Sequence, residues 1–122
     1  MKVLLLIDVR GTPFPENWYN KLKELSIDVK VLSFYNTNSI ASEDYIQIKT
    51  KLPAHRLKML YKIMQIKKYI KYLKPDIIHA IQVTRQGFLA NLINWHPFIV
   101  TAIGSDVFIE PRQNRIERYI VQ

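Results

Sequence analysis

Three short polar segments each follow an apolar run in this chain, and together they carry residue types from which a binding site can be built. They are Asp8, Arg10 and Gly11 after the first run, His79, Thr84 and Arg85 around the end of a later one, and Gly104, Ser105 and Asp106 after the last. An imidazole such as that of His79 can donate to a substrate oxygen or take its proton near neutral pH. Ser105 and Asp106 can exchange hydrogen bonds with sugar-like hydroxyls, and Gly104 can let the backbone approach a ligand or take a positive φ. Arg10 and Arg85 offer several donors to one anion, which suits a phosphate in a substrate. Each has a plainer role open to it. Asp106 can cap a turn, His79 can be a packed ring satisfied by backbone, and the arginines can pair with surface carboxylates. His96, between Trp95 and Pro97, reads as part of a loop.

Several other chemistries are missing from the pattern. With no cysteine there is no disulfide framework and no thiolate nucleophile or ligand, which fits a reducing compartment. No G-x-G-x-x-G or G-x-x-x-x-G-K-[ST] stretch offers a cradle for a dinucleotide or nucleoside triphosphate. No compact cluster of His and carboxylates has metal-ligand spacing, so neither a metal nor another cofactor is expected.

The elements that must position these residues follow from the apolar periodicity. Residues 3–7 form a continuous apolar run, as in an interior parallel strand covered on both faces. The loop 8–15 holds Gly11, Pro13 and Pro15, and a short amphipathic helix over 16–25 has Trp18, Leu22 and Leu25 on its apolar side. Strands are predicted at 29–34 and 45–48, then a longer helix after Pro53 with Met59, Ile63, Ile66, Ile70 and Leu73 along one face. Pro75 ends that helix by disfavouring a helical conformation at Lys74. A strand at 77–80, a helix at 87–93 and a strand at 98–103 complete the alternation. The implied fold is α/β, a three-layer Rossmann-like arrangement on a mainly parallel sheet. In such open sheets the ligand crevice lies beyond the carboxyl ends of the strands, where the strand order reverses. The three polar segments would then share one edge. At 122 residues the chain suffices for one core but not for two full domains, so a single domain over 1–122 is expected.

The net charge of +8 is unevenly placed. Residues 45–75 contain no acid, yet Lys49, Lys51, Arg56, Lys58, Lys62, Lys67, Lys68, Lys71 and Lys74 supply half of the 18 basic residues. Such a field attracts anionic lipid, nucleic acid or a phosphorylated substrate, or it is simply a solvated lysine face. Nucleic acid is not favoured, because stacking aromatics are not arranged around these lysines. Leu57, Leu60 and Met64 lie off the main apolar stripe, and a core or loop contact is favoured for them over a partner or membrane interface.

At this point the order and spacing of three stretches carry a resemblance. KPDIIHA at 74–80, TRQGFLANL at 84–92 and HPFIVTAIGSD at 96–106 resemble the amino-terminal domain of family 4-like glycosyltransferases of the GT-B fold. The resemblance implies transfer of a sugar from a nucleotide donor to an acceptor hydroxyl. It further implies a sugar or lipid-linked acceptor on this domain and a nucleotide-sugar donor held mainly by a second, carboxy-terminal domain. By the same resemblance His79, Thr84, Gly104, Ser105 and Asp106 border the interdomain cleft, with His79 and Asp106 as catalytic candidates. Asp8, Arg10, Gly11 and Arg85 would line it. The chain departs from the family pattern at Ile81, where a second His is common, at Ile103, where Trp or His is common, and at Phe14, Glu16 and Asn17 in the first loop.

A helix is predicted after Pro111, with Ile116, Tyr119, Ile120 and Val121 as its apolar positions, and the sequence stops within it. The expectation is therefore an incomplete first half of such an enzyme, inactive by itself. No stretch reaches the roughly 18 to 20 apolar residues that span a bilayer, and the expected setting is cytoplasmic, with peripheral contact at the inner membrane face left open. The main alternative is a non-enzymatic binding module that meets an anionic surface or a protein partner through the lysine-rich helix. A receiver-like regulator fits the alternation but lacks an evident phosphoacceptor cluster.

Overall fold

A computed structural model describes residues 1–7, 14–35, 38–49, 51–52, 54–104, 107, 112 and 115. Its elements run β1 (Lys2–Leu6), α1 (Phe14–Glu24), β2 (Asp28–Ser33), a 3₁₀ turn (Ser42–Asp44), β3 (Tyr45–Gln47), α2 (His55–Leu73), β4 (Ile77–Ile81), a π-helical turn (Val83–Gly87), α3 (Phe88–Ile93) and β5 (Phe98–Thr101). The five strands form one sheet in the order β3-β2-β1-β4-β5, and every pairing is parallel. The first strand in sequence is thus the middle one, with Leu5 opposite Val31 on one side and His79 on the other.

The central position of β1 explains its composition. Leu4, Leu5, Leu6 and Ile7 are wholly buried, as strands covered on both faces require. Alternate residues feed two cores. Leu4 and Leu6 join Leu32, Ile78 and Ala80 under α2 and α3, whereas Val3, Leu5 and Ile7 join Val29, Val31 and Ile81 under α1.

Ile66, Ile70 and Leu73 of α2 are buried, with Met59 and Ile63 partly so, which matches the predicted stripe. The helix stops at Lys74, which takes a left-handed conformation (φ 46, ψ 60) and donates its N–H to the Ile70 carbonyl before Pro75. Leu57, Leu60 and Met64 differ from expectation. They are exposed rather than packed in the core or beneath a loop, because the helix turns them away from the sheet while the main stripe faces it.

Leu25 is also exposed, although it was expected on the apolar side of α1. The helix ends at Glu24, the Leu25 N–H donates a last bond to the Lys21 carbonyl, and Ser26 turns left-handed (φ 59), so Leu25 stands at the end of the helix where the chain turns back towards β2. Tyr19 takes the buried place beside Trp18 and Leu22. β5 closes at Thr101 instead of 103, since its partner β4 ends at Ile81, opposite Thr101. The helix expected after Pro111 lies outside the described residues apart from Arg112 and Arg115.

Candidate functional site

The strand order reverses between β1 and β4, so the carboxyl ends of β1, β4 and β5 stand side by side. This is where an open parallel sheet leaves a crevice. Ile7 closes the first end, buried and donating its N–H to the Leu32 carbonyl at 3.2 Å. Gln82 closes the second with φ 90, ψ 122, a conformation that residues with a side chain rarely adopt. Its N–H donates to the Thr101 carbonyl (2.9 Å), and its carbonyl accepts the Gly87 N–H (2.8 Å). The chain therefore swings out of β4, makes the π-helical turn, and returns against β5.

That return passes close to β5 at Gly87. A Cβ there would stand 3.0 Å from Val100 Cγ1 and 3.3 Å from the Gln82 carbonyl, so a side chain would force its neighbours to shift by a few tenths of an ångström. Gly104, on the next strand end, has φ +106 with nothing within 4 Å of an added Cβ. Its demand for glycine is conformational, as its sequence context suggested.

His79 lies within β4, two residues before its end, and is only 6% exposed. Its Nε2 stands 2.7 Å from Thr101 Oγ1, and its ring meets Trp18 edge to face with centroids 4.7 Å apart and planes at 88°. The imidazole is thus fixed from β5 on one side and from α1 on another. Burial lowers its pKa from the ordinary 6.5, so the ring is neutral at pH 7. A neutral ring can serve as donor or acceptor at either nitrogen according to its tautomer.

Of the other residues singled out, Thr84 and Arg85 lie in the π-helical turn, with Arg85 exposed. Gly104 follows β5 on the same edge. Asp8, Arg10, Gly11, Ser105 and Asp106 lie outside the described residues. His96 precedes β5 at the opposite, amino-terminal edge, with Nε2 3.0 Å from Asn94 Oδ1, and takes no part in the crevice.

Thr101 and Gln82 were not singled out from sequence, and Trp18 was read only as part of the apolar side of the first helix. A threonine inside an otherwise apolar strand was the available signal for Thr101. A second buried polar cluster was missed as well. Asp44, 3% exposed, accepts hydrogen bonds from Tyr19 Oη (2.6 Å) and Lys30 Nζ (2.9 Å) and pairs with Lys23 Nζ at 3.1 Å. Burial raises its carboxyl pKa, but the bonds from Lys30, Tyr19 and Lys23 outweigh burial and bring it down to about 2. Burial and the same carboxylate push the Tyr19 phenol up to about 12. This cluster sits beside β2 and β3, away from the β1–β4 reversal. Among the described residues no group of three or more His, Cys, Asp and Glu side chains could hold a metal ion.

A family model described as glycosyl transferase 4-like matches residues 2–122. The chain belongs to the glycosyl transferase 4-like family. Among solved structures, MnaA of S. aureus, determined with UDP, is similar at a TM-score of 0.64 and 16% identity, over 98% of this chain and 34% of that one. A UDP-N-acetylglucosamine 2-epimerase is similar at 0.57 and 16%, over 98% of this chain and 40% of that one. At such identities the likeness is one of fold, and the chain spans between about a third and two fifths of these proteins. No curated protein matches it. The family 4-like chain thus has the Rossmann-like fold expected of a GT-B amino-terminal domain.

Proposed function

We propose that this family 4-like chain is the acceptor-side portion of a glycosyltransferase that moves a sugar from a nucleotide-sugar donor to an acceptor hydroxyl. The observation that carries this reading is the strand-order reversal between β1 and β4, which gathers His79, Thr101 and Gly104 at one edge of the sheet in a chain of this family. In the reaction the acceptor oxygen bonds to the anomeric carbon, the bond from that carbon to the diphosphate breaks with its electron pair leaving on the nucleoside diphosphate, and the acceptor proton would pass to a base, for which the neutral His79 ring is the candidate. Electrostatic stabilisation of the departing nucleoside diphosphate would lower the barrier.

His79 and Asp106 are the groups proposed nearest the chemistry. The neutral His79 ring, held at Nε2 by Thr101, would meet the acceptor hydroxyl through its other nitrogen. Asp106, with Ser105 and the Gly104 amide, would fix the acceptor through hydrogen bonds. Asp8, Arg10, Gly11, Thr84 and Arg85 would line the same cleft, the arginines facing phosphate. Donor contacts would come mainly from a second domain, and the UDP in the MnaA structure supports a nucleoside diphosphate as the kind of group received.

The test has two readings. The 122-residue chain, mixed with nucleotide sugars and a panel of saccharide acceptors, is expected to release nucleoside diphosphate no faster than a blank. Acceptor binding, followed by amide shifts, is expected to weaken at least about tenfold in Asp106→Ala with circular dichroism unchanged. Sustained turnover, or an acceptor affinity indifferent to that substitution, would overturn the assignment.

A further inference from the structure

The outward face of α2 changes character along its length. Leu57, Leu60 and Met64 are 51%, 58% and 68% exposed, and the same helical row continues into exposed Lys67, Lys68 and Lys71. Exposed Lys49, Lys51 and Arg56, together with the rim-exposed Leu52, flank the apolar end. The buried stripe of the same helix is already satisfied by the sheet, so these outward residues serve no packing purpose in the described fold. Three large apolar side chains in helical succession, bounded by cations and without an acid from 45 to 75, make a surface complementary to negative charge above hydrocarbon.

We propose that this face of α2 docks on an anionic phospholipid bilayer. Leu57, Leu60 and Met64 enter the acyl boundary, while Lys49, Lys51, Arg56, Lys67, Lys68 and Lys71 meet the headgroups. The helix lies on the membrane, not across it: none among the described residues is long and apolar enough to span one.

Topology then orients the crevice. β3 and β4 are parallel members of one sheet, so α2, which joins them, runs back from the carboxyl edge to the amino edge. Leu57 and Leu60 fall in its first turns, at the edge where β1, β4 and β5 end. A bilayer holding that end of α2 stands beside the mouth of the crevice. Resting on the acceptor-side reading, this geometry selects a lipid-linked acceptor, with its sugar or hydroxyl presented at the headgroup level. The docking itself does not depend on that reading.

The experiment is co-sedimentation of the 122-residue chain with vesicles of phosphatidylcholine, with and without phosphatidylglycerol. The chain is expected to sediment with the anionic vesicles, to be released by salt, and to bind neutral vesicles far more weakly. Leu57→Ser, Leu60→Ser and Met64→Ser together should lower the partition coefficient by about a hundredfold. Lys67→Gln, Lys68→Gln and Lys71→Gln together should do so by a similar factor. These side chains are exposed, so the variants keep the native circular dichroism. No sedimentation, or sedimentation indifferent to the serine variants, overturns the proposal. So does duplex DNA that competes for the same lysines with higher affinity, or a concentration-dependent dimer abolished by the serine variants. Docking without any binding of saccharide acceptors, soluble or lipid-linked, sinks the transferase reading and leaves the docking; saccharide binding without docking does the reverse.

Discussion

Two polar clusters are buried in this fold, and they are built on opposite terms. Around Asp44 a full negative charge is met by two lysines and a phenol at the β2–β3 side of the sheet. Around His79 a neutral ring meets Thr101 through Nε2 and Trp18 edge to face, at the β4–β5 side. The larger pKa displacement belongs to Asp44, yet the strand-order reversal lies beside His79. A strongly shifted pKa here marks a structural clamp that ties α1 to the 3₁₀ turn and β2. The less shifted imidazole sits beside the strand-order reversal, where open parallel sheets leave a crevice.

Breaking the clamp should give the largest effect. Asp44→Asn leaves Lys30 half-buried without its carboxylate and is expected to cost about 3 kcal/mol in urea unfolding. The pH dependence sharpens this. Because the folded pKa of Asp44 lies below its ordinary 3.8, its contribution is complete above pH 3.8 and fades as pH falls through about 2. The wild-type stability curve should therefore slope more steeply in that acid window than the variant's.

Thr101→Val is expected to cost less, about 1 kcal/mol, since it removes one hydrogen bond from a buried ring while keeping the shape of the side chain. It should also lower acceptor affinity, which Asp44→Asn should not. A result in which both variants lose stability alone, with acceptor affinity intact, would erase the distinction between clamp and site.

The smallest effect concerns the titration of His79. Its folded pKa is depressed, so its contribution is complete above the ordinary 6.5 and is lost as pH falls through the lower folded value. His79→Gln should flatten the stability curve just below pH 6.5. An unchanged slope would show that the ring titrates as it does in the unfolded chain.

Local pattern carried most of the fold. A run such as VLLLI, short and closed by polar residues, suits a strand covered on both faces, and Pro75 marks where α2 must stop, so these elements are legible one at a time. The polar clusters are relations between distant residues. Asp44 looks like an ordinary loop carboxylate until Tyr19 and Lys23, one helical turn apart, are brought over it. Gln82 hides its left-handed backbone because no glycine announces it, and Thr101 becomes meaningful only when β5 is set beside β4. Leu57, Leu60 and Met64 show the limit in another way, for apolarity alone does not say whether a side chain faces a core or the outside.

The middle position of β1 has a consequence for synthesis. Its partner on one side, β2, follows within a few dozen residues, but the other edge waits for β4, and Asp76 just before that strand receives a hydrogen bond from the Lys2 amide across 74 positions. At about 5 to 20 residues per second, the ribosome leaves that apolar edge without a mate for roughly 4 to 15 seconds. In a parallel sheet no hairpin can close the gap sooner. The nascent chain is thus most exposed to wrong pairing through the strand that ends up deepest in the finished protein.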